Sequence, residues 1–202
     1  MSLADNKKSI LFKFLSIFSV VRIYNILLIV IAQYLTSIFI LSEKNFMDVV
    51  LDLNLFLIIL CSSISIASGY IINNFYDEKK DLINKPIKHK IDDVVKNSTK
   101  LYFYFFLNFV VVFIASLISV RAVIFFSVYI FFLWLYSHKL KRILFIGNLF
   151  YSILTITPFF AILLYFKNFD LIIVAYALFL FFILLLKELT KDLKNLVGDF
   201  TQ

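Results

Sequence analysis

Six stretches free of Asp, Glu, Lys and Arg organise this chain: Ile23–Ser42, Leu53–Tyr76, Leu101–Val120, Ala122–His138, Ile143–Phe166 and Leu171–Leu186. A helix rises about 1.5 Å per residue and the hydrocarbon core of a bilayer is about 30 Å thick, so each stretch is close to one crossing. Composition closes the alternatives. Hydrophobic residues make up 62% of the 202 positions and charged ones 16%, whereas soluble domains carry about 45–50% and about 25%. Such a chain cannot cover its outside with polar groups, and a disordered chain would be far less apolar. Cys61 is the single cysteine, which excludes a disulfide framework. Only Gly69, Gly147, Gly198, Pro86 and Pro158 interrupt helix formers. The fold expected is an all-α integral membrane bundle of six transmembrane helices, read as a single domain over residues 1–202.

Leu101–Val120 and Ala122–His138 are separated by Arg121 alone, which calls for a tight hairpin there. Ser9–Val21, with Lys13 inside an apolar run, reads as an interfacial amphipathic helix rather than a cleaved signal. Six crossings place 17 of the 20 lysines and arginines on one side and Lys44, Arg121 and Lys167 on the other. Lysine and arginine collect in cytoplasmic loops, so both termini are expected in the cytoplasm of a multi-pass cell-membrane protein. The net charge of +7 is thereby accounted for by topology, and no nucleic-acid partner is expected.

Polar residues gather on that same side in three islands. In the first, Asn73, Asp77 and Asp81 recur every four residues, a spacing that puts them on one helix face with Cβ atoms about 5–6 Å apart. Carboxylates on one face at a membrane boundary are costly unless a cation lies between them, and oxygen-only ligands suit a hard cation such as Mg²⁺. In the second, Glu188, Asp192, Asn195 and Asp199 follow at spacings of four, three and four. Two carboxylate faces at one depth, with lysines beside them, describe a diphosphate site in which metals bridge oxygens and Lys offsets leaving-group charge. The third island holds Tyr136, Lys139, Lys141, Arg142, Gly147 and Asn148, whose cations can pair with phosphate. Gly69, Gly147 and Gly198 each lie beside an island, which points to close backbone approach there. No His/Cys cluster has zinc spacing.

These residues resemble the UbiA-type superfamily of intramembrane prenyltransferases. Asn73-Asn74-Phe75-Tyr76-Asp77, Asp81 and Asn84-Lys85-Pro86 are similar to its first acidic signature; Lys191-Asp192, Asn195 and Gly198-Asp199 are similar to its second. Arg22 with Asn25, and Tyr136-Ser137 through Lys141-Arg142 to Gly147-Asn148, also follow the family, and the wording is closest to the geranylgeranylglycerol-phosphate geranylgeranyltransferase branch. The resemblance implies Mg²⁺-dependent transfer of a polyprenyl group, of geranylgeranyl type, from its diphosphate to a lipid alcohol or an aromatic acceptor within the membrane. It implies metal ligation by Asn73, Asp77, Asp81, Asp192 and Asp199, with the four aspartates catalytic. Asn25, Asn73, Tyr136, Lys141, Arg142 and Lys191 would bind substrate. Two departures are Asn74 and Asn195, which stand where the family usually has Asp. The family also usually has eight or nine spans, so the domain reads as incomplete at its C-terminal end. The rival readings are an inactive relative, a non-enzymatic scaffold, a quinone-precursor prenyltransferase and a CDP-alcohol phosphotransferase. The last would need an Asp-Gly and Ala-Arg run that this chain lacks. Charge-free spans argue against a transporter.

Overall fold

The computed structural model describes residues 16, 18–84, 86–143 and 145–194. Among them there is helix and turn but no strand. Helix α1 (Ile23–Thr36) runs on through a π turn at Ser37–Leu41, followed by short α2 (Phe46–Val50), α3 (Leu53–Tyr76), short α4 (Glu78–Asn84) and α5 (Pro86–Asp92). Then come α6 (Asn97–Ile118), α7 (Val120–His138), a 3₁₀ turn at Leu140–Arg142, α8 (Ile146–Phe166) and α9 (Leu171–Lys194). Six of these, α1 with its π turn, α3, α6, α7, α8 and α9, are long and apolar enough to cross a membrane.

Helix α3 is the hub, packed against α1, α6, α7 and α8. Its start is fixed by Asp52, whose carboxylate accepts from the amides of Asn54 (3.1 Å) and Leu55 (3.2 Å), satisfying orphan first-turn donors. Its lower half carries small buried residues, Ser62, Ser65, Ala67, Ser68 and Gly69, which let neighbouring backbones come close where lipid tails give no hydrophobic drive to associate. At Gly69 a Cβ would stand 3.2 Å from the Leu133 side chain of α7. Helix α8 contains Pro158, which has no N–H to offer the carbonyl of Leu154. The Tyr129 hydroxyl of α7 donates to that carbonyl at 3.1 Å, and Gln33 of α1 donates to the carbonyl of Pro158 at 3.0 Å. A helix-breaking residue is thus absorbed by cross-helix hydrogen bonds.

Several boundaries differ from the sequence reading. The hairpin break falls at Ser119, whose backbone is extended and whose hydroxyl accepts from the Ala122 amide at 3.1 Å; Arg121 lies inside the first turn of α7. Helix α6 begins at Asn97, four residues early. Helix α9 runs on to Lys194 and so carries Glu188 and Asp192 on one helix, as their four-residue spacing expects. The expected interfacial helix at Ser9–Val21 lies mostly outside the described residues. Residues 16 and 18–21 are helical, with Val20 and Val21 packed on Ala67, Ile71, Ile72 and Tyr104, so this piece leans on the bundle. Arg22, in the left-handed region at φ 54°, turns the chain into α1.

Candidate functional site

At one end of the bundle the chain returns three times: where α3 ends, where α7 turns into α8, and along the last turns of α9. Helix α3 stops at Tyr76 and Asp77 caps it, so the expected unbroken helix through Asp81 is interrupted there. The bonding survives the interruption: the Asp77 amide reaches the Asn73 carbonyl at 2.9 Å, and the Asp81 amide reaches that of Asp77 at 2.8 Å. Asn73 and Asp77 therefore keep a shared face. Onto it comes Lys141 from the 3₁₀ turn, donating to Asp77 Oδ1 at 2.5 Å and to Asn73 Oδ1 at 3.2 Å. The Lys141 and Asp77 side chains are 12% and 19% exposed. Burial pushes the Lys141 ammonium down from its ordinary value, Asp77 pulls it back up, and Arg142 and Lys80 push with burial. A charge-assisted bond of this kind is strong because little water competes for it.

Gly147, in the first turn of α8, holds Lys141 in place. A Cβ there would lie 3.0 Å from both the Cα and the carbonyl oxygen of Lys141 and 3.2 Å from the carbonyl oxygen of Leu140. Only hydrogen in place of a side chain lets the turn lie this close to α8.

Beside Asn73 opens a cavity of about 90 Å³ between α3, α7 and α8, whose wall includes Tyr70, Tyr129, Tyr136 and Tyr151. Cations lie over two of these rings: the Arg22 guanidinium is 5.0 Å from the centroid of Tyr70, and Lys191 Nζ is 5.5 Å from that of Tyr151. Tyr136 and Tyr151 face each other at 6.2 Å between centroids. Tyr136 lies within electrostatic reach of Asp77, Glu188 and Asp192, so carboxylates from α3 and α9 flank one phenol.

Of the residues expected at a site, Asn73, Asp77, Lys141 and Tyr136 come together, with Lys191 and Asp192 approaching from α9. Asp81 is buried one turn further on in α4. Asn25 is half-buried in α1, and the Arg142 side chain is exposed beside Lys141. Asp199, with Asn195 and Gly198, lies outside the described residues. Among the described residues no three His, Cys, Asp or Glu side chains gather as a metal cluster. The oxygen donors of Asn73 and Asp77 nonetheless already converge on one cation, the Lys141 ammonium, so this donor pair suits a hard positive charge. Asn74 turns elsewhere: its Nδ2 donates to Asp92 Oδ2 at 2.9 Å while Ser19 donates to Asp92 Oδ1 at 2.8 Å, tying the end of α5 to α3. Tyr70, Tyr129 and Tyr151 were not distinguishable in a sequence with 11 tyrosines. Their spacing carries no signal that separates a cavity wall from a lipid face.

Comparison with known proteins places the chain in a family. Residues 30–202 match the UbiA prenyltransferase family. A digeranylgeranylglyceryl phosphate synthase of Methanobrevibacter smithii is 31% identical over 194 residues, covering 91% of this chain and 64% of the relative. That of Thermococcus gammatolerans is 32% identical over 146 residues, covering 72% and 52%. A solved structure described as digeranylgeranylglyceryl phosphate synthase in membranes superposes with a TM-score of 0.68 at 25% identity, covering 94% of this chain and 66% of that one. The chain spans about half to two thirds of the length of these relatives. With most of its length matched, the chain belongs to the UbiA prenyltransferase family.

Proposed function

We propose that this chain carries the diphosphate-gripping half of an intramembrane prenyltransferase, one that moves a geranylgeranyl-type group from its diphosphate to an alcohol on a membrane lipid. One observation carries the reading: Asn73 and Asp77, at the end of α3, meet Lys141 beside a tyrosine-walled cavity whose Tyr136 lies within electrostatic reach of Asp192 from α9. The names of the relatives support the donor and acceptor class, since their product bears two geranylgeranyl groups on glyceryl phosphate. On this reading the acidic islands and both termini face the cytoplasm, as the lysine count favours.

The chemistry follows from the side chains. Lys141, freed from Asp77 by an incoming diphosphate, donates to its oxygens and offsets charge as the allylic carbon–oxygen bond breaks. Arg142 and Lys191 would add positive charge at the rim, and Asn25, near the start of α1, is assigned a polar contact to substrate. Tyr70, Tyr129, Tyr136 and Tyr151 line the space beyond, an aromatic wall beside which a prenyl group with positive character is favoured over bulk water. Mg²⁺, when bound by Asp77 and Asn73 with Asp81, Asp192 and Asp199, would supply further neutralisation of the diphosphate.

The test uses membranes containing this chain, labelled geranylgeranyl diphosphate, Mg²⁺ and candidate glycerol-ether acceptors. Transfer is expected, and Asp77→Ala should lower it at least about a hundredfold, the scale of losing a group that stabilises developing charge. Undiminished transfer in Asp77→Ala would refute the role given to this site.

A further inference from the structure

Helix α9 is the most exposed of the long helices, with Leu171, Phe179, Leu186 and Leu193 all more than half exposed. Among its described residues a single side chain is buried, and it is an acid: Glu188, 4% exposed. In a membrane helix the apolar residues face lipid and a rare ionisable residue faces the bundle interior, where it is costly to desolvate and marks a place for a polar partner. One oxygen, Oε1, accepts from Lys191 Nζ, which is half-exposed and also lies over the Tyr151 ring. The other, Oε2, is buried with no hydrogen-bond partner among the described residues. Buried carboxylate oxygens normally accept a bond, so an orphan lone pair marks where a donor belongs. The carboxylate lies within electrostatic reach of Tyr136 and Tyr151, both in the cavity wall. None of Asn73, Asp77 and Lys141 bonds to it.

We infer that Glu188 holds the hydroxyl of the acceptor alcohol, Oε2 receiving its hydrogen bond beside Tyr136 and Tyr151. This rests on the prenyl-transfer reading above and adds the acceptor's place to it. In the transfer step the alcohol oxygen forms a bond to the first prenyl carbon. The bond from that carbon to the diphosphate oxygen breaks, its electron pair leaving with the diphosphate. The hydroxyl proton passes to Glu188 Oε2. Lys191 holds the other oxygen, Oε1, and so fixes where Oε2 points. An ammonium or a second cation is less well suited to this place, since Lys191 already fills the cationic role at Oε1.

The experiment measures equilibrium binding to the full chain in nanodiscs of three probes: an alkylglycerol with free hydroxyls, its methyl ether, and a non-reactive thiolo analogue of geranylgeranyl diphosphate. Glu188→Leu is the variant, because leucine fills the space with no polar atom and suits a membrane helix. It should weaken the alkylglycerol about tenfold or more, the scale of a hydrogen bond to a charged acceptor, leave the ether unchanged, and bind the thiolo analogue no more weakly, since Lys191 is then released toward the diphosphate. Glu188→Gln, which keeps an acceptor but no site for the proton, should bind the alkylglycerol within a few-fold of the parent and lower kcat rather than raise KM. The inference is overturned if Glu188→Leu binds the alkylglycerol as the parent does, if it weakens alcohol and ether alike, or if it weakens the thiolo analogue. A parent chain that binds the alkylglycerol but not the thiolo analogue sinks the transfer reading and leaves Glu188 as a hydroxyl site. A parent that binds neither alcohol nor ether sinks the assignment of Glu188.

Discussion

Replacing Gly147 by alanine adds one methyl group to a residue that binds nothing, and the structure says it should disable Lys141. The new Cβ would stand 3.0 Å from the Cα and carbonyl oxygen of Lys141 and 3.2 Å from the Leu140 carbonyl oxygen. These are backbone atoms, so no rotamer change relieves the overlap; the 3₁₀ turn and the first turn of α8 must separate by several tenths of an ångström. Overpacking of this sort costs about 1–3 kcal/mol. The displaced turn carries Lys141, the cation proposed to pass from Asp77 and Asn73 to the diphosphate. A charge-assisted bond is worth about 1.5–3 kcal/mol, so losing the one from Lys141 to the diphosphate predicts a loss of donor-diphosphate affinity of about tenfold to a hundredfold. The assay is a double-mutant cycle on diphosphate binding with Gly147→Ala and Lys141→Ala. If the methyl group acts through the lysine, adding Gly147→Ala to Lys141→Ala costs no further affinity. Additive losses, or a Gly147→Ala chain that binds like the parent, would refute the argument that the glycine exists to seat the turn.

Three further outcomes are expected. Tyr129→Phe leaves the Leu154 carbonyl, already without an amide partner because of Pro158, unsatisfied; it should cost about 1–2 kcal/mol of thermal stability in detergent, and Pro158→Ala should make it nearly neutral. Asn74→Asp replaces the amide that donates to Asp92 with a second buried carboxylate, so the melting temperature should fall and Asp92→Asn should restore it. Asp52 has its carboxyl held below the ordinary 3.8: burial raises it, but bonds from Tyr165 and the Leu55 and Asn54 amides, with Lys44, together outweigh burial. A depressed carboxyl stabilises the fold above its ordinary value and loses that contribution as pH falls through the folded one. Acid titration should therefore destabilise the parent from about pH 4 downward, and Asp52→Asn should flatten that limb.

The spans were legible because hydropathy integrates over about 20 residues and the bilayer enforces it. Their ends were not, because the deciding events are single side chains: the Ser119 hydroxyl on Ala122, or Asn97 to Lys100 continuing a helix that hydropathy had already abandoned. The site divides the same way. Spacing by fours placed Asn73 with Asp77 on one face, and that face holds even though the helix stops at Tyr76, since the i to i−4 bond at Asp77 survives. Nothing in spacing could say that Lys141 would reach that face, 64 residues away, because its reach is set by how closely one turn lies on Gly147. The asparagine at 74 shows a further limit. Aligned with a signature it looks like a lost carboxylate, yet a position next to Asn73 on a helix points about 100° away from it. Here that side faces Asp92, against which a carboxylate would be repelled. The amide is then the residue that this neighbourhood requires. A one-letter departure from a family pattern is a loss of function only where the side chain faces the chemistry, and the proposed function puts the chemistry on the side of Asn73 and Asp77.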